Sequence, residues 1–264
     1  MRTKIFNIFS LILLSATGII LIALQVKPYG WLVYGAGLLS LVFAERQFAK
    51  HLLLVYVAIA LLGITAITTD ISYRHMFEMG LALVLVLIIP LTIARKFYKD
   101  KALIPYTFHH GRRWFRSEIL YIVITAILSY FLLPFYLLNT GAYLNWNVEP
   151  GLSNIIRLFI GTNALGIWDE LFFVNTVLGI LIRHIKFGWA NLIQSVLFTS
   201  FLYELGFTGW GFILIFIFAL TQGYIFMKTK SLLYIITIHL TLDLILFLAL
   251  IEAHHPEWLS IFIT

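Results

Sequence analysis

Four ionisable side chains stand inside otherwise apolar stretches of this sequence, and all four are of types that handle protons. Asp169 and Glu170 are consecutive in Gly166-Ile-Trp-Asp-Glu-Leu-Phe-Phe-Val-Asn175, and His239 and Asp243 stand four apart in His-Leu-Thr-Leu-Asp. On a helix, i, i+4 spacing puts His239 and Asp243 on one face, where the carboxylate can bond the imidazole or both can point into one cavity. Consecutive residues diverge, so Asp169 and Glu170 point two ways, and one of them can serve only to cap or bond a neighbouring helix. Three acids and one histidine gathered together can activate water, bind a metal or relay protons. A histidine alone is more ordinarily a core residue with a backbone partner.

The elements that must position these groups follow from composition. The chain has 264 residues, 61% hydrophobic, 16% aromatic and 11% charged, against about a quarter charged in soluble domains. A mean hydropathy of +0.98 leaves too few polar side chains to cover a soluble core. Disorder, coiled coil and collagen are excluded by the same figures. The fold class is all-α: a polytopic transmembrane helical bundle, because a helix satisfies its own backbone in lipid. Nine candidate spans run roughly 5–26, 29–44, 51–69, 77–94, 118–139, 153–183, 188–205, 209–227 and 232–251, with 29–44 the weakest, so eight if the second is not a full crossing. Arg2-Thr3-Lys4 and the apolar run after it read as a retained first helix, since the run is too long for a signal peptide and lacks its cleavage site.

An N-terminus in the cytoplasm puts 15 of the 18 basic residues inside and only Lys27, Arg74 and Arg157 outside. The net charge of +6 therefore reports topology, and no nucleic-acid partner is expected. The basic loop 95–117, which includes His109 and His110, is a stop-transfer anchor that can also touch anionic lipid head groups. It divides the chain into N-terminal helices with their basic loop, 1–117, a C-terminal membrane domain, 118–251, and a short tail, 252–264. No internal repeat is evident. The absence of cysteine excludes a disulfide framework, a thiolate metal site and a Cys nucleophile.

A charged group at the centre of a span costs about 3 kcal/mol, so acids that persist there face the bundle interior or a water-filled cavity. His239 lies at a depth compatible with that of Asp169 and Glu170, which gives an expected cluster of Asp169, Glu170, His239 and Asp243. Glu204 reads as an interface residue near a helix end, and His254-His255-Pro-Glu257 as solvated tail. The sequence requires no cofactor. A divalent metal remains open, although three acids and a single histidine make an unconvincing zinc set.

The order of these elements resembles the CPBP family of intramembrane proteases, which includes the CAAX prenyl endopeptidases and the bacterial Abi or bacteriocin self-immunity proteins. Asp169-Glu170-Leu171-Phe172-Phe173-Val174-Asn175 is similar to the family's Glu-Glu-x-x-x-Arg motif, with Val174 where Arg is expected and Asn175 where Gly is usual. Leu197-Phe198-Thr199-Ser200-Phe201-Leu202 is similar to Phe-x-x-x-His, keeping Phe198 but placing Leu202 at the histidine. His239 and Asp243 keep the third motif, His-x-x-x-Asn or Asp. The stretch Gly223-Tyr-Ile-Phe-Met-Lys-Thr-Lys-Ser-Leu232 before it resembles the family's turn between its last two helices.

The resemblance implies hydrolysis of a peptide bond in a membrane-anchored peptide or protein, in a bacterial inner membrane among lipids. By position Asp169 would be the base, Glu170 its neighbour, and His239 with Asp243 the oxyanion pair. An ionised Asp243 is a poor oxyanion donor and could instead orient His239. Leucine at 202 can neither share a proton nor ligate, so a catalytically inactive CPBP-like membrane binding or immunity protein is the alternative reading. A proton-coupled transporter using the same acids ranks third, for want of repeats.

Overall fold

The computed structural model describes residues 2–108 and 113–263, so His109, His110 and Arg112 of the basic loop lie outside the described residues. Within these bounds the chain is helical, with no strand, and each hydropathy-derived segment overlaps a helix. In order these are α1 (Arg2–Thr17), α2 (Lys27–Phe43), α3 (Arg46–Ile64), α4 (Tyr73–Thr92), α5 (Arg116–Thr140), α6 (Leu152–Asp169), the single turn α7 (Leu178–Leu181), α8 (Phe187–Glu204), α9 (Gly211–Thr229) and α10 (Leu232–His254). Three wider π-turns extend them: Gly18–Ala23 after α1, Ile93–Phe97 after α4, and Glu170–Val177 between α6 and α7. The last makes one helical span of Leu152–Leu181.

Among the described residues, 7 helices are long and apolar enough to cross a membrane, as expected of an integral membrane protein in a lipid environment. The other two candidates are helical but fall short for different reasons. The 29–44 segment forms α2, which has 17 residues. The 188–205 segment forms α8, whose Asn191, Gln194 and Ser195 lower its apolarity and are buried. Those side chains join α8 to α9: Asn191 Nδ2 donates to the Leu220 carbonyl at 2.8 Å, and Gln194 Nε2 to the Ala219 carbonyl at 3.0 Å. Gly223 admits them, since a Cβ there would collide with the Asn191 carboxamide. Polar contacts of this kind and small residues hold membrane helices together where no hydrophobic effect separates protein from lipid.

The chain forms two compact units. The first comprises Met1–Thr68, Phe77–Tyr106 and Leu171–Tyr224, and the second Thr69–Met76, Thr107–Glu170 and Ile225–Thr264. In the first, α1, α2 and α3 meet around Tyr56, whose hydroxyl donates to the Ser10 carbonyl at 2.8 Å, while Ser10 and Ser40 hydroxyls share a bond of 2.6 Å. The hydroxyl end of the Tyr56 ring lies against Gly37, so close that a Cβ would stand 2.7 Å from Cε1.

In the second unit α10 packs on both α5 and α6. Its N-terminus is fixed by bonds to groups that a helix leaves unsatisfied. The Leu232 and Leu233 N–H groups donate to the Thr107 and Phe108 carbonyls at 2.9 Å, and the Ser231 hydroxyl accepts from Tyr234 N–H at 3.3 Å. Its C-terminal end departs from the solvated tail expected of the sequence. His254 completes α10 with Nε2 3.0 Å from the Tyr143 carbonyl, His255 stacks on Trp258, and the Glu252 carboxylate accepts the Ile261 N–H at 2.7 Å. The apolar Trp258 and Phe262 explain the difference, because Phe262 finds Tyr130 of α5 to pack against.

Gly37→Ala is expected to lower stability by about 1–3 kcal/mol, as overpacking does when a neighbour must move. Thermal unfolding of the purified protein in detergent, set beside Gly35→Ala at a position with nothing within 4 Å, measures it.

Candidate functional site

The approach of α10 to α6 begins with an absent side chain. Gly166 lies one turn before Glu170, and a Cβ built on it would run into the Asp243 carboxylate and stand 3.0 Å from His239 Cδ2. Any larger residue would hold the two helices apart. At the next turn the Glu170 N–H is shared between the Gly166 and Ile167 carbonyls, and the wider π-turn begins there. Thr176 follows the wider geometry, its hydroxyl donating five residues back to the Leu171 carbonyl at 2.9 Å. A π-turn inside a helix costs regular hydrogen bonding and is often found where a helix carries a functional site.

The result is a buried line of three groups. Glu170 Oε1 lies 2.8 Å from His239 Nδ1, and His239 Nε2 lies 3.8 Å from Asp243 Oδ1. With Glu170 ionised, Nδ1–H donates to it, which fixes the tautomer and leaves Nε2 turned toward Asp243. The second distance is too long for a hydrogen bond and is an electrostatic contact. Glu170 is fully buried, and His239 and Asp243 are 5% and 7% exposed. Water therefore screens this charge little, and each group depends on its protein partners.

Asp169 is 1% exposed, and neither carboxylate oxygen has a hydrogen-bond partner among the described residues. It is close enough to interact electrostatically with His239, Glu170 and Asp243. Of the two consecutive acids, then, Glu170 faces the imidazole and Asp169 stands beside the pair, a division that follows from the turn between successive helical residues. No group of three or more His, Asp or Glu among the described residues is placed to hold a metal ion.

Two of the motif positions that depart from the family pattern are buried and apolar. Val174 is fully buried in the π-turn, and Leu202 is 7% exposed in α8; both belong to the first unit. Glu204 ends α8 partly exposed, with Lys27 as a nearby charge. Gly166 escaped a reading of the sequence that looked for ionisable groups. The available signal was its spacing: a small residue four positions before an intramembrane acid marks a face where another helix can come close.

Residues 151–245 match the family model described as type II CAAX prenyl endopeptidase Rce1-like. The match is in agreement with the CPBP resemblance. No curated protein and no solved structure matches the chain. The Rce1-like segment starts at the N-terminus of α6 and ends two residues beyond Asp243, so it holds Gly166, Asp169, Glu170, His239 and Asp243 together.

Gly166→Ala is expected to destabilise the protein by about 1–3 kcal/mol, since a carboxylate and an imidazole must both retreat. Gly161→Ala on the same helix, where the nearest atom is the Met76 methyl at 4.0 Å, is expected to be neutral or slightly stabilising. Unfolding temperatures of the two variants in one detergent make the comparison, and equal values would show that the close approach at Gly166 carries no energy.

Proposed function

We propose that the protein is an intramembrane endopeptidase, hydrolysing a peptide bond in a membrane-anchored peptide or protein in a bacterial cytoplasmic membrane, with its chemistry in segment 118–251. The observation that supports this most is the buried contact of 2.8 Å between Glu170 and His239. In that pair Glu170 holds Nδ1–H, and Nε2 is the basic nitrogen left to take a proton from water. The water oxygen then bonds to the carbonyl carbon, and the carbonyl π electrons move onto oxygen. As the C–N bond breaks, the proton on Nε2 passes to the leaving nitrogen, giving a carboxylic acid and an amine.

Glu170 stabilises the imidazolium that forms in between, the part a carboxylate plays in an acid–His arrangement. Proton transfer of this kind contributes about 10²–10⁴-fold to rate. An ionised Asp243 would have no hydrogen to offer an oxyanion. Its place 3.8 Å from Nε2 suits a second support for the charged ring. This reading moves the base from Asp169, where motif position alone would put it, to the Glu170–His239 pair.

A second reading has its own observation. Val174 and Leu202, apolar and buried, stand where the family pattern has Arg and His. A catalytically silent membrane binding or immunity protein would keep the scaffold and the buried acid–imidazole contact without turnover.

Purified protein in nanodiscs, offered membrane-anchored peptides with and without a prenyl group, separates the two. Cleavage is expected, with Glu170→Gln and His239→Ala each lowering kcat by about 10²–10⁴-fold and Asp169→Asn lowering it less. Cleavage that survives Glu170→Gln at full rate would sink the mechanism, and a folded wild type that cuts none of the peptides would favour the silent protein.

A further inference from the structure

One end of the first unit gathers cations from three separate chain segments, and contacts among the segments hold them side by side. The start of α3 brings Arg46 and Lys50, the chain that ends and follows α4 brings Lys96, Lys99 and Lys101, and the turn after α7 brings Arg183. All six side chains are exposed. Tyr98 ties the second segment to the first: its hydroxyl donates to the Lys50 carbonyl at 3.0 Å, and Lys50 Nζ lies 3.9 Å from its ring centroid. His51 Nδ1 and His184 Nε2 meet at 3.0 Å and tie the first to the third. Arg183 Nη2 donates to the Ala102 carbonyl at 2.6 Å and ties the third to the second. The acids here are Glu45 and Asp100, and Asp100 accepts the Ala102 N–H at 3.0 Å.

Topology asks only that cations flank the spans on one side; it asks nothing of their mutual position. In this surface Lys50 and Arg183 are held by specific contacts, so less side-chain freedom is lost when an anion arrives. Ammonium and guanidinium groups suit phosphate oxygens. Exposed aromatics of the kind that sit at headgroup level accompany them: Phe97 is 75% and Trp189 64% exposed. We propose that this surface is a binding site for the headgroup of an anionic phospholipid, and that it prefers a headgroup with two phosphodiesters. One phosphate can engage two or three cations, whereas cations from three segments offer partners for a second.

The full chain, purified in detergent, is titrated with phosphatidylcholine, phosphatidylglycerol and cardiolipin, with retained lipid read by native mass spectrometry and stabilisation by thermal unfolding. Cardiolipin is expected to be retained most tightly, phosphatidylglycerol less, and phosphatidylcholine not at all. Lys96→Gln/Lys99→Gln is expected to weaken cardiolipin retention by about 25-fold, at about fivefold per charge. Lys96→Arg/Lys99→Arg keeps the charge and should retain it, which guards against misfolding of the neutral variant. Lys228→Gln/Lys230→Gln removes as much charge elsewhere and should leave retention unchanged. Equal losses in both neutral variants, or equal retention of the three lipids, would overturn the proposal.

Discussion

A charge inside an apolar bundle must find its partner within the protein, and the contact between Glu170 and His239 meets that demand at 2.8 Å. It requires α6 and α10 to come unusually near. Gly166 permits the approach, the π-turn starting at Glu170 shapes the helix there, and the bonds from Leu232 and Leu233 to Thr107 and Phe108 fix where α10 begins. Packing of α10 on α5 as well as α6 then leaves little room for the histidine to slide. The pair is thus less a product of helix propensity than of a few positions where helices are allowed to touch.

Much of this was legible in the sequence, because hydrocarbon imposes simple rules. Helices are the way an isolated apolar segment satisfies its backbone in lipid, so each expected segment is found as a helix. The cost of burying charge singled out Asp169, Glu170, His239 and Asp243 from an otherwise apolar background. The i, i+4 rule placed His239 and Asp243 on one face, and they face one another at 3.8 Å.

What stayed hidden has physical reasons too. Which of two consecutive acids meets the histidine depends on rotation about α6, and hydropathy has no phase information at that precision. The π-turn leaves no residue signature of its own. The folded end after α10 depends on Trp258 and Phe262 finding partners far back in the chain, which a local reading of a polar His-His-Pro-Glu stretch does not weigh. The contact of His51 with His184 joins residues far apart in sequence and involves no charge in a forbidden place, so it drew no notice.

The bare backbone at Gly166 carries a lesson about decay. In a lineage that stopped using its chemistry, positions that serve only turnover would be the first free to change. Gly166 could not follow, because the space beside it is filled by the Asp243 carboxylate and every other amino acid brings an atom into it. A glycine there would outlive the reaction. Its persistence in a sequence therefore testifies to architecture alone, and only the groups that touch a substrate can testify to catalysis.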